Sequence, residues 1–113
     1  MSDNYYNDPD FDPDLEILKQ DAAHVCVKFI DLSKTEINEN VVFFLSKETC
    51  IRLGAIPVSK DNYKIVVAMK NPMNIFAIDE ISSITGLTVV PALASEKQIL
   101  KAIEKCFEKY DFM

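Results

Sequence analysis

Five consecutive apolar residues at positions 65–69 set the strongest limit on how this chain can fold. With Tyr63 and Lys64 before them they form a strand signal, and a strand that is apolar on both faces has to be covered on both sides. Asn71 and Pro72 come next; proline breaks the strand and suits the first position of a helix. The run therefore predicts a central strand that leads into a helix capped by Asn71.

A shorter strand signal precedes this one. Residues 55–58 are mostly apolar, and the polar residues 59–62 are typical of a four-residue turn. Pro57 lacks a backbone N–H and therefore favours an edge strand. We expect strands 55–58 and 63–69 to form an antiparallel hairpin, with an exposed edge at 55–58 that can take a partner strand.

The segment after Pro72 predicts a helix followed by a third strand. Four isoleucines recur near helical spacing and predict the buried stripe of this helix, which Gly86 ends. The four are Ile75, Ile78, Ile81 and Ile84. Residues 87–90 form the third strand, and Pro91 is expected to stop it. Because strand–helix–strand connections are right-handed, the two strands should be a parallel pair.

The last helix begins with a capping box. The Ser95 hydroxyl is expected to accept the Gln98 N–H, and the Gln98 side chain to reach back. The apolar stripe of this helix consists of Ile99, Ile103, Cys106, Phe107 and Tyr110. The order over residues 55–110 predicts an α/β (α+β) fold: a small three-stranded mixed sheet (β-β-α-β-α) packed with helices and preceded by short N-terminal helices.

The charge of the chain is concentrated at its start. Residues 1–14 hold five aspartates and no lysine or arginine, which leaves 13 of the 18 acidic residues to balance 12 basic ones. Residues 1–12 therefore predict a flexible acidic tail, with three aromatic side chains that can dock on a partner: Tyr5, Tyr6 and Phe11. One domain is expected over 13–113, divided into a helical lead-in at 13–54 and a ββαβα core at 55–110.

The lead-in predicts short helices and one strand. A helix over 13–23 is expected, with Asp12 as its cap and Pro13 at its first position, and residues 25–30 alternate as a short strand does. Residues 41–45 predict a buried helical turn, although five apolar residues in a row are also compatible with a strand. A further helix over 46–53 ends at Gly54, in the left-handed conformation.

Composition excludes several classes of function. The net charge of −6 argues against a general nucleic-acid binder. No apolar run reaches the ~20 residues of a membrane span, so direct membrane insertion is not expected. Neither glycine is followed by Lys-Ser or Lys-Thr, which argues against ATP hydrolysis within this chain. The only histidine, His24, has just Asp21 and Cys26 near ligand spacing. We therefore expect no enzyme activity, no catalytic residues, no cofactor and no metal.

Three widely spaced cysteines indicate reduced, mostly buried thiols in a cytoplasmic protein. They are Cys26, Cys50 and Cys106.

Two features supply candidate binding residues. Lysines recur every four residues along the last helix, and their stripe is either a solvated face or a grip for an acidic partner, such as the chain's own tail or another subunit. These interaction candidates are Lys97, Lys101, Lys105 and Lys109. Arg52 is the second feature, because a guanidinium can fork onto a phosphate; it is the one ligand candidate.

The stretch from Ile30 to Phe107 resembles the N-terminal domain of type II secretion and type IV pilus assembly ATPases, the GspE/PilB type. The resemblance covers about 80 of the 113 residues. It is carried by ordered runs: Asp31-Leu32, Ala55-Ile56-Pro57-Val58, Val66-Val67-Ala68-Met69-Lys70-Asn71-Pro72, Ala77-Ile78-Asp79-Glu80-Ile81, Thr85-Gly86-Leu87 and Pro91-Ala92-Leu93-Ala94-Ser95-Glu96. The family usually has Asp where Asn71 stands, a change that keeps the expected cap but removes a charge.

The resemblance implies a protein-interaction domain rather than a catalytic one. In this family the ATPase motor lies C-terminal to the domain, which docks the motor to inner-membrane platform or adaptor proteins. The chain is then either part of a larger ATPase or a free-standing copy, with the motor domain in the same or another chain. The implied location is cytoplasmic, peripheral to the inner membrane of a bacterium through these partners.

The resemblance also implies an alternative function. Some relatives bind cyclic di-GMP through a longer N-terminal module that carries Arg-Leu-Gly, a second glycine and a Leu/Gln helix. Arg52-Leu53-Gly54 begins such a pattern, but no second glycine follows and the next residues form the hairpin. A cyclic di-GMP sensing, regulatory domain of the same machinery is the alternative reading.

Overall fold

The computed structural model of the protein describes residues 27–108 and four earlier residues: Leu15, Ile17, Leu18 and Gln20. Those four are helical, in agreement with the helix expected over 13–23. Several expectations lie outside the described residues: the acidic tail at 1–12, Cys26, Lys109 and Tyr110.

Residues 27–108 form one mixed sheet with four helices. The strands are β1 (Lys28–Phe29), β2 (Ala55–Lys60), β3 (Lys64–Met69) and β4 (Thr88–Leu93). The helices are α1 (Glu39–Val42), α2 (Lys47–Leu53), α3 (Ile75–Thr85) and α4 (Glu96–Glu108). The sheet order is β1-β4-β3-β2, with β2 antiparallel to β3 and β4 parallel to both of its neighbours. The predicted fold class, the hairpin and the parallel crossover are confirmed.

The sheet has one strand more than the predicted three. β1 lies beside the end of β4, with Lys28 opposite Ala92 and Phe29 opposite Leu93. The alternation over 25–30 indicated a strand but no sheet partner. A pairing of only two residues is too short for a hydrophobic pattern to specify its register.

Pro57 fits in β2 because its nitrogen points away from β3. Lys70 N donates to Gly54 O at 2.9 Å, and in an antiparallel ladder the bonded and non-bonded pairs alternate. Pro57 lies opposite Val67, at a non-bonded pair, so its missing N–H removes no bond to β3. Its predicted place in an edge strand is confirmed.

Pro91 was wrongly expected to end its strand, since β4 continues to Leu93. Thr88 N donates to Tyr63 O, so the even-numbered residues of β4 direct their backbone groups toward β3. Pro91 is odd-numbered and faces the other side, where the β1 pairing begins only at Ala92. The missing N–H therefore leaves the β3–β4 ladder intact.

The edge at 55–58 is closed to a partner strand, contrary to expectation. All four of its residues are buried. A register shift between Pro57 and Ser59 marks a bulge, and Asn38 N donates to Val58 O at 3.1 Å. α1 packs on β2 and covers this edge.

α2 begins and ends as predicted, whereas α1 lies two residues earlier than the predicted turn at 41–45. Asn38 Oδ1 caps α1 by accepting from Asn40 N, and Ser46 Oγ caps α2 by accepting from Thr49 N. Gly54, with φ of 61°, ends α2. The run at 41–45 is helical only through Val42; Val41, Val42 and Leu45 enter the core, whereas Phe43 and Phe44 are exposed.

α3 starts later than the sequence suggested. Its cap is Asn74, whose Oδ1 accepts the Ala77 N–H at 3.2 Å. Asn71 Oδ1 instead accepts from Met73 N, so it holds the turn that precedes the helix.

α3 buries only the middle of the predicted isoleucine stripe, where Ile81 is buried and Ile78 is half-buried against the core. Its buried residues are Ala77 and Ile81, four positions apart, whereas Ile75 and Ile84 are exposed. A spacing of three falls about 60° short of a full turn at each step. Over the nine residues from Ile75 to Ile84 the stripe rotates by about half a turn, so it cannot stay on one face.

The described part of the apolar stripe on α4 is confirmed. Ile99, Ile103, Cys106 and Phe107 are buried. The Phe107 ring meets Phe43 edge-on, with centroids 5.1 Å apart, a favourable aromatic geometry. This contact joins the end of α4 to the turn after α1.

Candidate functional site

A cluster of exposed apolar side chains surrounds the start of α3. Met73 is 60% exposed, Ile75 67% and Phe76 86%. We call these three residues the α3 apolar face. Large exposed apolar patches on soluble domains mark interaction sites more often than chance, and an aromatic residue flanked by Met and Ile is typical of interface anchors.

Local hydrogen bonds hold this face outward. Asn71 and Asn74 accept from Met73 N and Ala77 N, and Asn74 N donates to Asn71 O at 3.1 Å. Pro72 is buried beneath the turn. The turn and the helix cap thus fix the backbone at the start of α3, where Met73, Ile75 and Phe76 are exposed.

An ion pair lies next to the α3 apolar face. Arg52, at the end of α2, donates through both terminal nitrogens to the two carboxylate oxygens of Glu80 on α3. Hydrogen bonding to Arg52 lowers the pKa of Glu80, and the same bond raises the pKa of Arg52. Glu80 is one turn beyond Phe76, so the pair borders the apolar face.

The Arg-Leu-Gly sequence has a structural explanation. Gly54 ends α2 in the left-handed conformation, and a Cβ there would lie 2.5 Å from Lys70 Cδ. The Lys70 amine in turn forms an ion pair with Glu96 at 2.9 Å. The left-handed helix end favours glycine at this position, and the Lys70 stem would have to move for any larger residue.

The lysine stripe is exposed along α4, as far as the structure describes it. Lys97, Lys101 and Lys105 are all exposed. The last two line a groove of about 970 Å³ between α4 and the 32–39 loop. Glu36 and Glu39 line the same groove, so its charge is balanced rather than basic.

Gln98 joins the loop after β1 to the start of α4. As predicted, Ser95 Oγ accepts the Gln98 N–H, at 3.0 Å. The side chain, however, does not reach back to its own helix. Its Oε1 accepts from Leu32 N and its Nε2 donates to an Asp31 carboxylate oxygen, both at 2.9 Å. Sequence could not indicate this contact, because its partners are more than 60 positions away.

Asp31 should make the stability of the domain depend on acid pH. Burial alone would raise the pKa of Asp31, but hydrogen bonds from Ser33 and Gln98 bring it below its ordinary value. A carboxylate with a lowered folded-state pKa stabilises the fold fully above its unfolded pKa, about 4. That contribution is lost as pH falls through the folded pKa.

We therefore expect Asp31→Asn to lower the urea midpoint at pH 7 and to change it progressively less below about pH 4. Urea titrations of both proteins from pH 7 to pH 2.5 measure this. A constant difference across that range would contradict the account of Asp31.

The described cysteines, Cys50 and Cys106, are both buried and reduced. Burial, with a smaller contribution from nearby Cys106, raises the pKa of Cys50 to about 12. Cys50 therefore stays protonated at neutral pH, as expected for a thiol that packs in the core.

The sequence contained one signal for the α3 apolar face. Six of the eleven residues of α3 are apolar, more than one buried stripe of an amphipathic helix can use. The surplus residues at the start of the helix include Ile75 and Phe76, and these are the ones left exposed.

The fold places the chain among α/β domains whose parallel strands are joined by a crossover helix. It is similar to the structure of MshE with cdg (TM-score 0.74, 22% identity, covering 84% of this chain and 69% of that one). It is also similar to the N-terminal domain of XpsE (TM-score 0.67, 18% identity, covering 79% and 63%). The chain belongs to the MshEN domain family, which matches residues 26–111; this is the N-terminal domain of GspE/PilB-type ATPases.

Two curated relatives are type IV pilus assembly ATPases. PilB of Myxococcus xanthus is 31% identical over 81 residues, which cover 72% of this chain and 14% of that protein. PilB of Thermus thermophilus is 30% identical over 93 residues, covering 78% and 10%. The chain thus spans about a seventh or less of these relatives. None of the helices within the described residues has the length and apolar character needed to cross a membrane.

Proposed function

We propose that this domain docks a type II secretion or type IV pilus ATPase onto an inner-membrane platform or adaptor protein of the same machinery, without itself catalysing a reaction. The observation that carries the proposal is the α3 apolar face, an exposed aromatic anchor with two apolar neighbours. Membership of the family suggests which machinery the domain works in. The α3 apolar face suggests where the partner binds. The proposed location is the cytoplasm, at the inner membrane through this partner.

The charged residues have a secondary place in the proposal. Lys97, Lys101 and Lys105 on α4 remain interaction candidates, and so does Lys109, which lies outside the described residues. Exposed charges of this kind mainly change association rates and salt dependence. We therefore assign the affinity to the α3 apolar face.

Affinity capture from an extract of the source organism tests the proposal. The protein should enrich a pilus or secretion inner-membrane component, and Phe76→Asp should weaken binding to that component by at least ~30-fold, the loss expected for an interface hot spot. Tyr63→Asp is the matched control, because Tyr63 is also exposed (78%) but lies at the opposite end of β3. Equal binding by the two variants, or no enrichment of such a component, would refute the proposal.

Cyclic di-GMP binding at Arg52 is the second candidate function. It is favoured by the similarity to the structure of MshE with cdg and by the exposed guanidinium of Arg52. Arg52 would have to leave Glu80 to hold a phosphate. In a calorimetric titration, Glu80→Gln should then bind cyclic di-GMP more tightly than the original protein, and Arg52→Ala should not bind. An absence of heat with both the original protein and Glu80→Gln removes this candidate.

A further inference from the structure

Asp79 carries a charge beside the α3 apolar face that no described residue balances. It is exposed and lies three positions after Phe76, so the two side chains are neighbours on the surface of the helix. Among residues 27–108 its carboxylate has no ion-pair partner. A charge in this position is available to a group of opposite charge on another protein.

The nearby ion pairs add no net charge to this surface. Glu80 lies four positions after Phe76, on the other flank of the ring, and both of its carboxylate oxygens accept from Arg52. The Lys70 amine, just before the turn that leads to α3, pairs with Glu96. One flank of Phe76 is therefore neutral, and the opposite flank presents a single negative charge.

We propose that the partner receives Phe76 in an apolar pocket whose rim carries a lysine or arginine on the side of Asp79. The Phe76 side chain is 86% exposed, so a recess in the partner, rather than a flat surface, is needed to remove it from water. A cation on the rim complements Asp79, and the neutral flank at Glu80 requires no charge opposite it. This inference rests on the proposed docking function and assigns the chemistry of the partner.

The charge of the face should act on the rate of association. A charge at the rim of an interface changes mainly the association rate and its salt dependence, whereas a buried aromatic anchor supplies affinity. With a basic partner, each added negative charge on the face should speed association and each removed one should slow it. The direction of the change therefore reveals the sign of the partner's charge.

Stopped-flow association with the inner-membrane component from the capture experiment, purified in detergent, tests this inference. Asp79→Asn removes the unbalanced charge, and Glu80→Gln leaves Arg52 as an unpaired cation. Both variants should associate about threefold more slowly at an ionic strength of about 0.02 M. Arg52→Gln leaves Glu80 as a second negative charge and should associate about threefold faster. All differences should shrink at about 0.5 M, where the Debye length is only about 4 Å.

The matched variants separate charge from structure. Arg52→Gln and Glu80→Gln break the same ion pair but change the charge of the face in opposite directions, so a structural effect would slow both. Glu104→Gln, at an exposed position on α4, removes the same charge from another helix and should associate at the original rate. Equal rates for all variants would overturn the proposal. So would slower association of Arg52→Gln than of Glu80→Gln, which would assign an acidic rim to the partner.

Phe76→Asp distinguishes failure of this inference from failure of the docking function. If Phe76→Asp binds the component as tightly as the original protein does, the docking function itself is wrong. If Phe76→Asp binds weakly but the charge variants associate at equal rates, docking at the α3 apolar face stands and the basic rim is wrong.

Discussion

Ile81→Ala should destabilise the domain by about 3 kcal/mol, whereas Ile75→Ala should change its stability by less than about 0.5 kcal/mol. Both residues lie on α3 and both lose the same atoms. Ile81 is fully buried in the core, and Ile75 is 67% exposed. Removing the buried side chain leaves a cavity that the surrounding residues fill only in part, but removing the exposed one leaves none.

Urea unfolding of the original protein, Ile81→Ala and Ile75→Ala measures this difference directly. The comparison requires that the free energy of unfolding fall with urea concentration at the same slope in all three proteins. The isoleucine stripe predicted from sequence makes the two residues equivalent. Equal losses of stability in the two variants would therefore contradict the orientation of α3 and, with it, the exposure of the α3 apolar face.

Gln98→Leu should lower the free energy of unfolding by about 2 kcal/mol. The buried Leu32 N–H would lose its acceptor, and the cost of removing that group from water would no longer be offset. Leucine fills a similar volume but cannot accept from Leu32 N or donate to Asp31, the two bonds that join the loop to α4. Lys97→Leu is the matched control. Lys97 precedes Gln98 in the sequence but is exposed, so a leucine at position 97 should leave the stability nearly unchanged.

Chemical denaturation and amide exchange together test this prediction. Gln98→Leu should lower the urea midpoint and speed exchange at Leu32, whereas Lys97→Leu should do neither. If Gln98→Leu unfolds at the same urea concentration as the original protein, the long-range bonds of Gln98 do not stabilise the fold.

Local signals predicted most of the fold because they depend on neighbouring residues. The cap at Ser46, the left-handed end at Gly54 and the apolar run of β3 each determine their own element. The parallel pairing of β3 with β4 followed from the handedness of the crossover. The bounds of α2 and β3 agree with the prediction to within one residue.

The errors arose where position in the sheet or contact across the fold decides the outcome. Whether Pro91 ends a strand depends on which neighbour its nitrogen faces, and that is a property of the sheet order. The buried face of α3 is set by its packing against β4, and the partners of Gln98 come from a distant loop. A local sequence pattern predicts neither the strand neighbour of Pro91, nor the buried face of α3, nor the partners of Gln98.

The candidate site was the least predictable part of the molecule. The sequence singled out charges, Arg52 and the α4 lysines, because charged motifs stand out in a pattern. The structure instead exposes Met73, Ile75 and Phe76, which in sequence look like core residues. Exposure of apolar residues can be recognised only after the buried face of their helix is known.

Hydrogen exchange on the complex with the captured platform or adaptor protein tests the docking account most directly. The account predicts slower exchange at the start of α3, over residues 73–80, with little change across the 32–39 loop and α4. Protection confined to the loop or to α4, with the start of α3 exchanging as it does in the free protein, would contradict the claim that the α3 apolar face is the docking surface.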